Sequence, residues 1–150
     1  MDFNQHTTPN ALEKYAFWWS EARLAIAAVA LAIGGVPPVW YLVSAAPALF
    51  GIVKLGLTLS WVISGLVSLY LIYRWNEKKM LFGGKDMWDT VAFFIMVVTG
   101  INLGVAGIAG QNFGMTIASG RIIFLVAAAL YLIVASYMYR RWSANGNKIF

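Results

Sequence analysis

Residues 90–108 read TVAFFIMVVTGINLGVAGI and contain no ionisable side chain. A helix of about 20 apolar residues is long enough to cross the hydrocarbon core of a bilayer, so this run predicts a transmembrane helix. Three more apolar runs of comparable length occupy 24–43, 48–73 and 117–139. The sequence therefore predicts an all-α integral membrane protein with four transmembrane helices, in which residues 1–150 form one membrane domain.

The composition is typical of a membrane protein. Hydrophobic residues make up 61% of the chain and charged residues 11%, whereas soluble domains contain about 25% charged residues. The net charge of +5 comes from basic residues that flank the apolar runs, which is the positive-inside bias of membrane proteins. We therefore expect the lipid bilayer as a partner and no nucleic acid.

The basic residues also predict the orientation. Nine of the eleven fall on one side of the implied membrane: Lys14, Arg23, Arg74, Lys78, Lys79, Lys85, Arg140, Arg141 and Lys148. The six carboxylates fall on the same side: Asp2, Glu13, Glu21, Glu77, Asp86 and Asp89. Because cytoplasmic loops retain basic residues, both termini should be cytoplasmic in a multi-pass protein of the cytoplasmic (inner) membrane.

The segment before the first run predicts a helix of its own. Thr8-Pro9 is a typical helix start, because proline is tolerated at the first helical position. The side chains that follow on one face are Leu12, Tyr15, Ala16 and Trp19. This pattern indicates a short interfacial helix over 8–19 that turns into the membrane near Ser20. A single tilted helix over 8–43 is the alternative.

Two other segments predict where regular structure breaks or ends. Pro37-Pro38 should bend or break the first span near its outer end, because both backbone donors are missing. Asn145-Gly146-Asn147 should mark the end of ordered structure at the C-terminus.

A weak internal repeat relates the two halves of the chain at an offset of 67 residues. The matched positions are Lys54 and Arg121, Tyr70 and Tyr137, and Arg74-Trp75 and Arg141-Trp142. A tandem repeat of two helical hairpins would be related by a pseudo-two-fold axis along the membrane normal. Chance similarity combined with shared topology is the alternative.

The second hairpin carries motifs of a known family. The first motif is Gly100-Ile101-Asn102-Leu103-Gly104-Val105-Ala106-Gly107, and the second is Arg121-Ile122-Ile123-Phe124 followed by Leu130-Tyr131. Over about 86–139 the chain resembles the YuzA-like family of small bacterial membrane proteins with two helices. The chain departs from the family pattern at Leu103, where tryptophan is usual, and at Phe124, where tyrosine is usual. The resemblance implies a helical hairpin in a bacterial inner membrane and implies no activity.

Small residues at helical spacing predict contact faces on two of the spans. They are Gly100, Gly104 and Gly107 in the third span and Ser60, Ser64 and Ser68 in the second. Such faces let helix backbones approach closely in lipid. We expect them to pack within the bundle, and a contact between protomers of a homo-oligomer or within a larger membrane complex is the alternative.

Two basic residues near the outer ends of their spans are the candidate ligand-binding residues. Lys54 and Arg121 have no carboxylate on that side, and cations within a membrane are often functional. Together with Asn102 they are predicted to hold an anion or a lipid headgroup. The alternative is that both side chains snorkel to the outer headgroups, and that Asn102 hydrogen-bonds a neighbouring helix.

The residue types needed for most catalysis are scarce. The chain has no cysteine, its one histidine is His6, and no apolar run contains a carboxylate, so we expect no metal, no cofactor and no catalytic set. The sequence therefore favours a non-enzymatic structural or accessory membrane protein. The alternative function is a small anion-handling channel or transporter, or a lipid-headgroup binder, that uses Lys54 and Arg121.

Overall fold

The computed structural model describes residues 8–117 and 119–150, and within them the chain is helical, without a β-strand. The helices are α1 (Pro9–Ala32), α2 (Val39–Ala45), α3 (Phe50–Lys78), α4 (Met87–Ala109), α5 (Phe113–Ile117) and α6 (Arg121–Ala144). A 3₁₀ turn, Pro47–Leu49, leads directly into α3. Three helices, namely α3 with this turn, α4 and α6, are long and apolar enough to cross a membrane, which confirms the multi-pass class. Asp2 and His6 lie outside the described residues.

The four long helices pack as a bundle in which α1 and α4 each contact the other three, whereas α3 and α6 each contact two. Antiparallel α3 and α4 form the most extensive pair, and α1 lies against α6. The bundle is completed by contacts of α1 with α3 and of α4 with α6, and by a shorter diagonal contact of α1 with α4. The described parts of α3 and α6 make no contact with each other. The interior of the bundle therefore lies along the α1–α4 diagonal.

The pairing of α3 with α4 depends on glycine. A Cβ atom on Gly104 would lie 2.6 Å from the Cα atom of Gly65, so the two backbones touch at this level. One turn away, a Cβ atom on Gly107 would lie 3.0 Å from the backbone nitrogen of Val62. Small residues at such a face let two helix backbones approach closely in lipid. The predicted small-residue face of α4 therefore packs against α3 within the bundle. Gly65, which the sequence pattern did not single out, is its partner on α3.

The start of the chain differs from the interfacial helix that was predicted over 8–19. Helix α1 begins at Pro9 with Thr8 as its cap and continues without a turn through Ser20 to Ala32. Ser20 is fully buried, and the ring of Phe17 stacks on Trp142 of α6 at 5.2 Å between centroids. Of the face that was expected to lie on the membrane, Ala16 is buried, whereas Leu12, Tyr15 and Trp19 stay exposed. The turn near Ser20 was wrong because α1 continues through Ser20 as one helix.

The predicted span over 24–43 is divided. Helix α1 ends at Ala32, and Gly34 and Gly35 follow with φ values of +109° and +84°, a backbone region that favours glycine. Pro38 then precedes the short helix α2. The predicted break at Pro37-Pro38 is confirmed, and it separates α1 from α2 because residues at positive φ and prolines without a backbone donor do not continue the helix.

The end of the chain is more ordered than predicted. Ile149 is buried, and its carbonyl accepts a hydrogen bond of 2.8 Å from the backbone N–H of Phe82 in the α3–α4 loop. In that loop Leu81 and Gly84 exchange backbone hydrogen bonds of 2.9 Å each, and Leu81 is buried. The expectation that order ends at Asn145-Gly146-Asn147 was wrong, because the apolar residues beyond these three complete the core.

The two ends of the bundle are built differently. The end where the described termini meet, called the terminal end, holds much of the buried core, including Phe17, Phe93, Leu81, Trp142 and Ile149. The opposite, distal end carries α2, the 3₁₀ turn and α5, none of which contains a buried residue. The fold is therefore closed by side-chain packing at the terminal end.

The Gly65–Gly104 contact makes a direct prediction. Gly104→Leu is expected to destabilise the bundle by about 2 kcal/mol or more, because a side chain there meets backbone that cannot move aside. Gly56→Leu on α3 is the matched control, since a Cβ atom at Gly56 meets nothing within 4 Å. Thermal unfolding in detergent measures both variants. Equal melting temperatures for the two variants would contradict the contact.

Candidate functional site

Helix α1 brings charged side chains into the interior of the bundle. Arg23 is 7% exposed and Glu21 is 8% exposed, although both residues were expected to lie on the cytoplasmic side before the first span. Ser20, three residues before Arg23 and hence on the same helix face, is fully buried. The sequence assignment of Arg23 and Glu21 was wrong because α1 enters the bundle near Pro9 and not after Arg23.

The guanidinium of Arg23 is bound by α4. Its Nη1 donates a hydrogen bond of 3.0 Å to the Thr99 hydroxyl, and its Nη2 donates one of 2.5 Å to the Met96 carbonyl. The Thr99 hydroxyl itself donates to the same carbonyl at 2.8 Å. Both partners lie close to the middle of α4, a helix of 23 residues that is long enough to cross a membrane. The positive charge therefore lies near the middle of the bundle's depth.

Gly100 makes room for this charge. A Cβ atom at Gly100 would collide with the Ser68 hydroxyl and lie 3.1 Å from the Cζ atom of Arg23. The absence of a side chain at this position lets α1, α3 and α4 meet at one point. Gly100, predicted as a helix-packing residue, thus has the additional role of accommodating the guanidinium.

Several polar atoms of this cluster have no hydrogen-bond partner among the described residues. They are Nε of Arg23, Oε1 of Glu21 and the hydroxyl oxygens of Ser20 and Ser68. None of the ion pairs in the described part of the chain involves Arg23. A buried charge whose only hydrogen-bond partners are a hydroxyl and a carbonyl is energetically costly. Ionisable groups at such depth in a membrane protein are candidate functional groups for this reason.

The serines of α3 face α1 as well as α4. Ser64 accepts a hydrogen bond of 3.0 Å from the indole N–H of Trp19 and donates one of 2.7 Å to the Ser60 carbonyl. The Ser60 hydroxyl donates to the Leu57 carbonyl of its own helix at 2.8 Å. Ser64 therefore joins α3 to α1, whereas the hydrogen bond of the Ser60 hydroxyl stays within α3.

Two ion pairs fasten the terminal end of the bundle. Glu13 of α1 binds Arg74 of α3 at 2.5 Å, and Arg74 also pairs with Glu77 of its own helix. Asp89 of α4 is fully buried and receives two hydrogen bonds from Arg141 of α6, at 2.7 and 2.5 Å. The Glu13–Arg74 pair joins α1 to α3, and the Asp89–Arg141 pair joins α4 to α6.

The Asp89 pair is extended by a third partner. The hydroxyl of Tyr137, one turn before Arg141 on α6, donates a hydrogen bond of 2.7 Å to the Asp89 carboxylate. Asp89 is thus held by two side chains of α6 while it lies at the start of α4. A buried carboxylate with charge-assisted and neutral donors of this kind is a structural clamp between two helices.

The side chains of Lys54 and Arg121, predicted to hold an anion, make no hydrogen bond or ion pair among the described residues, and their role in anion binding stays a prediction. Lys54 and Arg121 are both exposed, and the helices that carry them, α3 and α6, do not contact each other. Asn102 does not join them. Its amide donates to the Asn112 side chain at 2.7 Å, and its oxygen accepts from the Gly114 N–H at 3.1 Å. Asn102 therefore holds the connector between α4 and α6.

Comparison with known proteins finds no family model, no curated protein and no solved structure that matches this chain. The resemblance of 86–139 to the YuzA-like family therefore stays an interpretation of the quoted motifs.

The buried guanidinium of Arg23, which forms no ion pair among the described residues, leads to a prediction about stability. Arg23→Met is expected to raise the free energy of unfolding by about 1 kcal/mol, since an apolar chain of similar length removes a buried charge. The Met96 carbonyl keeps its bond from Thr99 in this variant. Arg23→Lys should lower stability, because it keeps the charge without the two-armed fork that reaches both partners. Thermal unfolding in detergent ranks the variants, and a methionine variant less stable than the lysine variant would refute this account.

Proposed function

We propose that the protein is a non-enzymatic structural or accessory membrane protein whose four long helices all cross the bilayer. The observation that carries the proposal is the bonding of Arg23. Its guanidinium donates hydrogen bonds to the Thr99 hydroxyl and to the Met96 carbonyl of another helix. Polar side chains that bond across helices join the bundles of membrane proteins. The hydrogen bonds of Arg23 thus fix the position of α1 against α4, a role in arrangement that does not require the charge to add net stability.

The contacts of α1 support its role as a fourth span. At the terminal end Phe17 stacks on Trp142, and beyond the end of α1 a Cβ atom on Gly35 would lie 2.8 Å from the ring of Phe124. The two contacts are equally far apart along both segments, because the interval from Phe17 to Gly35 equals the interval from Phe124 to Trp142. Helix α1 therefore accompanies α6 along most of the length of α6, a helix that is long enough to cross a membrane.

The distribution of basic residues supports cytoplasmic termini. The described ends of the chain meet at the terminal end, where Asn10 and Phe150 line one cavity. The basic residues of this end and its loop are Lys14, Arg74, Lys78, Lys79, Lys85, Arg140, Arg141 and Lys148. Even without Arg23, these eight basic residues outnumber the two of the distal end, Lys54 and Arg121. The positive-inside bias toward the terminal end therefore remains. The proposed location is a bacterial inner membrane.

The ion pairs support a tandem repeat of two hairpins. Arg74 and Arg141 are 67 positions apart, whereas their partners Glu13 and Asp89 are 76 positions apart. The stacked aromatic pairs follow the same two offsets: they are Trp142 with Phe17 and Trp75 with Phe93. The first helices of the proposed hairpins thus correspond at 76 and the second helices at 67. The first hairpin has the longer connector, which contains α2.

The outer face of α3 is apolar and exposed. A row of its apolar side chains is more than half exposed: Ile52, Leu55, Leu59 and Leu66. In a membrane this face contacts lipid, a second copy of the chain or a subunit of a larger complex. The alternative function, anion handling by Lys54 and Arg121, has less support because the helices that carry these residues do not contact each other.

Reconstitution into liposomes tests the proposed function against the alternative. Vesicles that contain the protein should show chloride and phosphate flux no greater than empty vesicles, because the proposed role requires no ion path. The variant Lys54→Gln/Arg121→Gln should behave identically in this assay. Flux well above that of empty vesicles that is abolished in the double variant would overturn the proposal in favour of an anion channel or transporter.

Cysteine labelling tests the four spans, since the parent chain contains no cysteine. In intact cells a membrane-impermeant thiol reagent should label Ala45→Cys and spare Asn10→Cys and Ser143→Cys, all three of which replace exposed residues. After the membrane is permeabilised, all three should react. Labelling of both Asn10→Cys and Ala45→Cys in intact cells would mean that α1 does not cross the bilayer.

A further inference from the structure

A cavity at the terminal end has a wall that suits an anion. It has a volume of about 290 Å³ and lies between the first turns of α1 and the segment that follows α6. This volume equals roughly ten molecules of liquid water, enough for a phosphate group with part of a headgroup. Its polar wall residues include Asn10, Lys14, Asn147 and Lys148.

The two lysines on this wall are unpaired cations. Neither Lys14 nor Lys148 forms an ion pair or a hydrogen bond with its side chain among the described residues. The carboxylate on the wall, Glu13, is already bound by Arg74 at 2.7 Å through Nε and at 2.5 Å through Nη2. Arg74 is shared with Glu77, so Glu13 still counts as a charge of the wall, and the side-chain charges of Lys14, Lys148 and Glu13 together leave the wall with one net positive charge.

A residue of the same wall also carries an unsatisfied donor. Trp142 lines the cavity and is 5% exposed, and its indole N–H is buried with no acceptor among the described residues. A buried donor without a partner costs free energy that an acceptor would recover. The Trp142 ring itself is fixed by its stacking on Phe17 and by its edge contact with Trp18.

The segment after α6 that forms one side of the cavity is held in place. The Asn145 amide donates a hydrogen bond of 3.1 Å to the Lys148 carbonyl, and the Phe82 N–H donates one of 2.8 Å to the Ile149 carbonyl. Ile149 is buried in the core. Lys148 is therefore presented from an ordered backbone, which reduces the entropy that binding must overcome.

The position of the cavity relates it to the membrane surface. The ring of Trp142 contacts those of Trp18 and Tyr139, and tryptophan and tyrosine favour the depth of the lipid headgroups. We propose that this cavity binds the phosphate group of an anionic phospholipid, with Lys14, Lys148 and the Trp142 indole N–H as its donors. Such a site differs from Lys54 and Arg121, which lie at the distal end.

Binding of short-chain lipids to the full-length protein in neutral detergent tests the site. Phosphatidylglycerol should bind and raise the melting temperature, whereas phosphatidylcholine, which carries no net charge, should bind at least tenfold more weakly. Lys14→Gln/Lys148→Gln should weaken phosphatidylglycerol binding about tenfold or more, since each lysine near a phosphate contributes about a factor of five. Inorganic phosphate distinguishes free phosphate from lipid as the ligand. Stabilisation by millimolar inorganic phosphate alone assigns the site to free phosphate. If inorganic phosphate does not stabilise the protein, the site is assigned to the lipid.

Matched variants separate this site from general electrostatic attraction. Lys78→Gln/Lys85→Gln removes the same charge from exposed positions that do not line the cavity, and it should change the affinity less than threefold. Trp142→Phe keeps an aromatic ring and removes the N–H, and it should weaken binding severalfold. If this variant is unstable, the glutamine variants decide alone. Equal losses in the two double variants, or equal binding of both lipids by the parent, would overturn the proposal.

Discussion

The contact of backbone with backbone between α3 and α4 is the constraint on which the rest of the bundle depends. Gly65 and Gly104 touch, and this contact places Ser68 opposite Gly100 one turn toward the terminal end. Because Gly100 has no side chain, Arg23 of α1 can reach Thr99 and the Met96 carbonyl. A larger residue at Gly104 would separate the helices and remove the place that the guanidinium occupies.

The bundle is stabilised differently along its length. At the terminal end, ion pairs such as Asp89–Arg141 and an aromatic core around Trp142 close the structure, and Ile149 seals it. At the middle, hydrogen bonds of Arg23 join α1 to α4. At the distal end, Asn102 holds the short connector, whose helix contains no buried residue. The strongest packing therefore lies where the proposed phosphate site is formed, which favours a rigid wall for that site.

Part of the site could be read from the sequence and part could not. The spacing of Gly100, Gly104 and Gly107 identified the face of α4 correctly, because small residues at intervals of about one turn mark close helix contact whatever the partner. Gly65 was missed because it is a single glycine whose importance depends on the register of α3 against α4. Arg23 was missed because charge was taken as the boundary of the first span, whereas the apolar and small residues before it already belong to the bundle.

The sequence by itself determined the membrane class, three of the long helices and the break at Pro37-Pro38, since hydropathy, length and missing backbone donors act locally. Only the tertiary structure decided that Arg23 and Glu21 are interior, that Lys54 and Arg121 lie on helices that do not meet, and that Ile149 is part of the core. These properties depend on the relative position of residues far apart in the chain. Helix packing sets that position, and no local pattern contains it.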